Sequence, residues 1–167
     1  MQKRDGVRRY AHDEPAFEID LPADAELAEM DGMLLAARAP EGTTASPFRS
    51  NLTIVAQDLP GDIDHEALAE ASLAHEARTF PNWRLIDRSA AQLGDTPAER
   101  TLATYVMGRA SGVDFGRDLS VTVQQWRVIC GSRAWIASAS CETPDFALVG
   151  DLWAACAETL RPDECTP

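Results

Sequence analysis

Long apolar runs are missing from this chain. None of its 167 residues fall in a stretch near the ~18 consecutive apolar positions of a membrane-spanning helix, so membrane insertion is not expected. Positive charge is scarce as well. Fifteen Lys and Arg face 27 Asp and Glu, for a formal net charge of −12. Nucleic acid and anionic lipid both require a basic footprint, and both are excluded as expected partners. Lysine is almost absent: Lys3 stands alone against fourteen arginines. With abundant alanine, that is the bias of a high-GC bacterium, and an actinobacterial source is expected.

Signatures of chemistry are equally thin. The four cysteines (Cys130, Cys141, Cys156, Cys165) include no C-x-x-C pair, so zinc and thioredoxin-like chemistry lack a signature. The three histidines are His12, His65 and His75. His65 and His75 are ten residues apart, about 280° around a helix, and do not share a face. No metal site and no cofactor are expected. Gly-x-Ser-x-Gly is absent, because Gly108-Arg109-Ala110-Ser111-Gly112 has the wrong spacing for a nucleophile elbow. The segment Gly112–Gly116 lacks the G-x-G-x-x-G phosphate pattern. A catalytic residue is not predicted, and the chain is read as a non-enzyme. The N-terminus has basic residues with no apolar segment behind them and no nearby cysteine, so neither a signal peptide nor a lipid anchor is expected. A cytoplasmic location and four reduced cysteines follow as expectations. A Cys130–Cys141 bridge is ruled out by separation along a hairpin, roughly 25 Å. Cys165 lies in the tail and can reach several places.

What is present is period-two alternation with two helical islands. Phe17–Leu21 alternates apolar and acidic residues and reads as a half-buried strand. Further strands are predicted at Met33–Ala39, Phe48–Gln57, Trp83–Leu93, Ala98–Met107, Leu119–Cys130 and Arg133–Cys141. A first helix spans Asp64–Thr79, with Asp64 as N-cap and a thin, alanine-rich apolar stripe through Leu68, Ala69, Ser72 and Leu73. A second spans Pro144–Leu160, capped by Thr143, with Phe146, Val149, Trp153, Cys156 and Leu160 on one seam. Strands joined by turns, with helices laid on them, indicate the α+β class. One domain is expected over residues 13–162, with loose tails at 1–12 and 162–167.

The hairpin 119–141 specifies two faces. If the turn at Gly131-Ser132 is tight, Trp135 lies opposite Val128, Ala137 opposite Trp126 and Ala139 opposite Gln124. That face reads as core beneath a helix. The other face pairs Ile136 with Arg127, Ser138 with Gln125 and Ser140 with Val123, with Val121 and Ile129 alongside. It is too polar for a plain core and too branched-apolar for a plain solvent face. Val121, Val123, Gln125, Arg127, Ile136 and Ser138 are therefore the predicted partner-binding residues. Coverage of this face by the chain's own N-terminal segment or by a dimer mate is the alternative.

Several segments resemble one family. Phe48-Arg49-Ser50-Asn51-Leu52-Thr53-Ile54-Val55 resembles its Phe-Arg-x-Asn strand, and Phe80-Pro81-Asn82-Trp83-Arg84-Leu85-Ile86 resembles its helix-to-strand passage. Leu93-Gly94-Asp95-Thr96-Pro97-Ala98-Glu99-Arg100 resembles its Gly-x-x-Pro-Ala-x-Arg turn, and Cys130-Gly131-Ser132-Arg133-Ala134-Trp135 its final hairpin. In this order, over about residues 15–162, the chain resembles the PsbP-like, DcrB-like superfamily (the Mog/PsbP fold). That superfamily includes Eag-type chaperones of type VI secretion effectors, LpqN-type lipoproteins, a photosystem II extrinsic subunit and a nuclear Ran-binding protein. The resemblance implies an α/β/α sandwich with a central antiparallel sheet of about six to seven strands and two main helices. It also implies binding rather than catalysis: a chaperone or adaptor for another protein or peptide, an exported effector included. A homodimer is a further expectation, and a small-ligand or lipid carrier is the alternative reading. The chain lacks the lipobox of the lipoprotein branch.

Overall fold

The computed structural model describes residues 6–61, 63–109, 112 and 114–165. Among these described residues, ten strands and two α-helices follow in the order β1 (Val7–Asp13), β2 (Ala16–Pro22), β3 (Glu26–Leu27), β4 (Leu35–Arg38), β5 (Asn51–Asp58), α1 (His65–Thr79), β6 (Arg84–Leu93), β7 (Thr96–Met107), β8 (Leu119–Cys130), β9 (Arg133–Glu142), α2 (Phe146–Ala157) and β10 (Arg161–Pro162). Seven strands form the main sheet in the order β3-β4-β5-β9-β8-β7-β6, and β1-β2-β10 form a second, smaller sheet. Every neighbouring pair in the main sheet is antiparallel. The α+β architecture expected from the strand and helix pattern is the one observed.

The β8–β9 hairpin has the expected register: Val128 faces Trp135, Trp126 faces Ala137 and Arg127 faces Ile136. One face of this hairpin carries the main core. Trp126, Val128, Trp135 and Ala137 are fully buried there with Val149, Trp153, Ala157 and Leu160 from α2 and its C-terminal end. Phe17, Ile19 and Leu21 of β2 complete the cluster, with Phe17 set edge-on against Trp135 at 5.6 Å. Three fully buried tryptophans make this the energetic centre, since truncating one to alanine costs about 3–5 kcal/mol. Trp153 Nε1 donates to Ser50 Oγ at 3.0 Å, and Gln124 Nε2 donates to the Gly150 carbonyl at 3.3 Å, whereas Trp126 Nε1 and Trp135 Nε1 have no hydrogen-bond partner among the described residues.

The first helix begins as predicted. The Asp64 carboxylate accepts the Ala67 N–H at 2.8 Å, a cap worth about 1 kcal/mol. The second does not. Its expected cap, Thr143, instead shares its hydroxyl with Ser120 at 2.9 Å and Thr122 at 3.0 Å, so Thr143–Asp145 form a 3-10 turn and the α-helix starts at Phe146. The helix also ends at Ala157, short of the expected Leu160.

Two expectations about the ends are corrected. Residues 7–12, expected as part of a loose tail, lie in β1 and pair along the length of β2. Their inward positions are Arg8, Tyr10 and His12, which give no apolar alternation to read in advance. At the other end, Arg161 and Pro162 pair with Glu18 and Phe17, and Cys165 is bonded to Cys130 across a Cα separation of 4.9 Å. The four-thiol expectation is therefore overturned: Cys141 and Cys156 are the free thiols, and both are buried. The turn between β6 and β7 docks on the same corner, where the Gly94 N–H donates to the Glu158 carbonyl at 2.8 Å. Gly94 has φ +54°, and a Cβ there would stand 2.9 Å from the Leu160 carbonyl oxygen, so only glycine suits the site.

Candidate functional site

The second face of the sheet is the one predicted to bind a partner, and α1 lies over part of it. α1 is a weakly apolar helix that buries only Leu68, Ala69 and Glu76. Glu76 is what fixes its position. Its carboxylate accepts from Arg127 at 2.8 Å, with the two side chains 9% and 2% exposed. The same guanidinium donates to Thr101 Oγ1 at 2.8 Å and to the Gln125 amide oxygen. Arg127, predicted as a contact residue, is thus neither open nor unpaired. Its partner lies 51 residues away, on another element. The pairing is incomplete: Glu76 Oε2 and Arg127 Nε have no hydrogen-bond partner among the described residues. Burial pushes the Glu76 carboxyl above the ordinary carboxylate range, outweighing the opposite pull of Arg127.

Val121 and Val123 are also covered by the chain itself. They belong to a satellite cluster with Ala103, Tyr105 and Leu119, against which Phe48, Phe80, Trp83, Met107 and Phe115 pack. Phe80 and Tyr105 approach to 4.5 Å between ring centroids, and Trp83 stacks at 6.2 Å from Tyr105. Burial raises the Tyr105 hydroxyl to about 12, with a hydrogen bond to Ser140 pulling the other way.

The remaining predicted residues sit differently. Gln125, Ile136 and Ser138 are half-buried. Their face continues across β9 onto β5, where Val55 lies opposite Ile136 and Thr53 opposite Ser138. Thr53 and Val55 are half-buried too. The result is a partly open strip: an apolar Val55–Ile136 pair beside a Thr53–Ser138 hydroxyl pair, with Gln125 donating to Ser138 Oγ at 3.2 Å. Buried Arg127 and α1 border the strip on one side. Thr53 and Val55 were missed as site residues because each meets its β9 partner across more than 80 positions of sequence; alternation within β5 placed them opposite Leu52 and Ile54 but named no neighbour.

Other charged side chains are held in ion pairs of their own. Arg88 is held by Glu99 at 2.6 Å and Glu66 at 2.7 Å, and these carboxylates keep its pKa far above the ordinary guanidinium value. They line an open surface hollow of about 530 Å³ with His65, Ser89 and Pro97. The free thiols are poor nucleophiles: burial raises Cys141 to about 12 and Cys156 to about 11. His12 and His75 make local contacts, to the Pro15 carbonyl at 3.0 Å and to Thr79 Oγ1 at 3.4 Å. Among the described residues no group of three His, Cys, Asp or Glu side chains is placed to hold a metal ion. Among the same residues, no helix is long and apolar enough to cross a membrane.

No protein-family model matches the chain, and no curated protein matches it in sequence. Solved structures do match it. The cyanobacterial PsbP (CyanoP) of Synechocystis superposes with a TM-score of 0.65 at 12% identity, covering 97% of both chains. LpqN of Mycobacterium tuberculosis, involved in cell envelope biogenesis, gives 0.64 at 17% identity over 93% of this chain and 89% of its own. The Ran-binding protein Mog1p of Saccharomyces cerevisiae gives 0.61 at 10% identity over 94% of this chain and 95% of its own. These identities speak to architecture alone: the chain has the Mog/PsbP fold that its sequence motifs resemble.

Proposed function

We propose that the chain is a non-enzymatic protein-binding module, a chaperone or adaptor that receives another polypeptide on the strip formed by Thr53, Val55, Gln125, Ile136 and Ser138. The observation that carries this reading is the strip itself. It offers one apolar pair for burial, flanked by hydroxyl and amide groups that can satisfy a guest's polar atoms, and α1 leaves it half open. One structural neighbour, Mog1p, is a Ran-binding protein, which lends the reading support by fold analogy alone. An exported effector is among the guests this role would serve. The alternative, a small-ligand or lipid carrier with its pocket between sheet and helix, finds that space packed by Trp126, Trp135 and Trp153. As to location, the Cys130–Cys165 bond favours an oxidising compartment over the cytoplasm expected from the sequence.

Native mass spectrometry of the protein purified from its own source separates these readings. A stoichiometric polypeptide guest supports the proposal, and a small bound adduct supports the carrier. Ile136→Glu and Val55→Glu place a charge on the strip without touching the tryptophan core. Each is expected to abolish the guest peak while leaving the far-ultraviolet dichroism unchanged. A guest retained in full by both variants would discard the strip as the docking surface.

A further inference from the structure

The main sheet ends in a long, open edge. β6 is ten residues long and pairs only with β7 among the described residues. A free edge of this length offers unpaired N–H and C=O groups to any incoming strand. Two large apolar side chains sit on it in solvent: Leu85 is 42% exposed and Ile86 56%.

The start of this edge is complementary to itself. Run antiparallel to a second copy, Arg84-Leu85-Ile86-Asp87 sets Arg84 against Asp87 and Leu85 against Ile86, and the symmetry repeats both contacts. Such a pairing is normally forbidden by side-chain parity. A two-fold axis perpendicular to the joined sheet keeps each face on its own side, so residues opposite one another must already share a face. Residues three apart in a regular strand do not. β6 is not regular here. Leu85 lies opposite Ala103, but Asp87 lies opposite Leu102, so Ile86 is an extra residue. The alternation is reset across it. Arg84 lies opposite Thr104 and Asp87 opposite Leu102, two positions apart on β7, and therefore both point to the same face. The bulge thus makes face-matched self-pairing possible at the one register that joins opposite charges. Arg84 has no ion-pair partner among the described residues, and Asp87 reaches Arg100 only at 3.8 Å.

We propose that β6 is a homodimer interface, in which Arg84–Asp87 pairs antiparallel with the same segment of a second copy to continue the sheet across both chains. The arrangement is isologous, as a closed two-fold dimer requires. It is independent of the guest strip, because β7 separates β6 from β8, the nearest strand of the strip; either proposal can fail alone.

Sedimentation equilibrium over a range of protein concentrations tests it by charge exchange. The wild-type chain is expected to dimerise. Arg84→Asp sets like charges opposite Asp87 at both ends of the segment and is expected to weaken the dimer by about tenfold or more. Asp87→Arg does the same with two arginines. The exchanged double variant Arg84→Asp/Asp87→Arg restores the opposite pairing and is expected to return dimerisation to near the wild-type value. Circular dichroism confirms folding of each variant, and these exposed positions leave the core untouched. A wild type that stays monomeric to millimolar concentration overturns the proposal. So does a dimer insensitive to Arg84→Asp, or a double variant no stronger than the singles.

Discussion

Replacing Glu76 by alanine is the sharpest probe of how α1 is held. In the native chain Arg127 is 1% exposed and Glu76 7%, and the 2.8 Å contact between them is the only ion pair of either residue among the described residues. Removing the carboxylate leaves a guanidinium buried against Thr101 and Gln125 alone. Breaking one side of a buried ion pair costs about 3–5 kcal/mol. Set against a total stability of about 5–15 kcal/mol, that is a large fraction. With a urea m-value of about 2 kcal/mol/M, the unfolding midpoint falls by roughly 2 M. Replacing both partners by apolar residues, Glu76→Leu with Arg127→Met, removes the desolvation penalty together with the attraction. That double variant is expected within about 1 kcal/mol of wild type or above it. Urea titration followed by tryptophan fluorescence reads both numbers. A Glu76→Ala loss below about 0.5 kcal/mol, the size expected of an exposed pair, would refute the burial account. A double variant as unstable as the summed singles would refute it as well.

Three further predictions follow from the same contacts and from the disulfide. Because burial raises the Glu76 pKa, the folded state holds that proton more tightly than the unfolded one. The folded chain then binds more protons than the unfolded chain in the window just above the ordinary carboxylate range. Stability falls as pH rises through that window, and Glu76→Gln is expected to remove this slope when urea midpoints are compared at roughly pH 4 to 7. Thiol titration of the non-reduced, unfolded chain is expected to find Cys141 and Cys156 alone. Cys165→Ser is expected to lower stability by about 2–4 kcal/mol for a bridge across 35 positions, and four reactive thiols in the wild type would contradict the bond.

Much of the fold was legible in the sequence, and the reason lies in local signals. The tight Gly131-Ser132 turn fixed the β8–β9 register, and register assigned Trp126 and Trp135 to the buried face. Asp64 announced the start of α1 because a cap acts within three residues. What stayed hidden depended on distant partners. Arg127 reads as a surface cation until Glu76 is placed over it. Cys165 had several possible neighbours until β10 settled beside β2 and carried it to Cys130. β1 offers Arg8, Tyr10 and His12 to the small sheet, a set no hydrophobicity pattern would select. The site was half legible for the same cause: Gln125, Ile136 and Ser138 came from a hairpin whose pairing is local, while Thr53 and Val55 joined them through the long-range β5–β9 pairing.

The two helices are fastened in unequal ways. α2 is anchored by Val149, Trp153, Cys156 and Ala157 in the main core, whereas α1 offers Leu68, Ala69 and one carboxylate. Segments with few buried apolar contacts open at lower free energy than the structure around them. The wall of the strip is therefore its most yielding part. On the proposed function, a bulky guest would displace that wall by separating Glu76 from Arg127, while the tryptophan layer on the far side of the sheet stays shut.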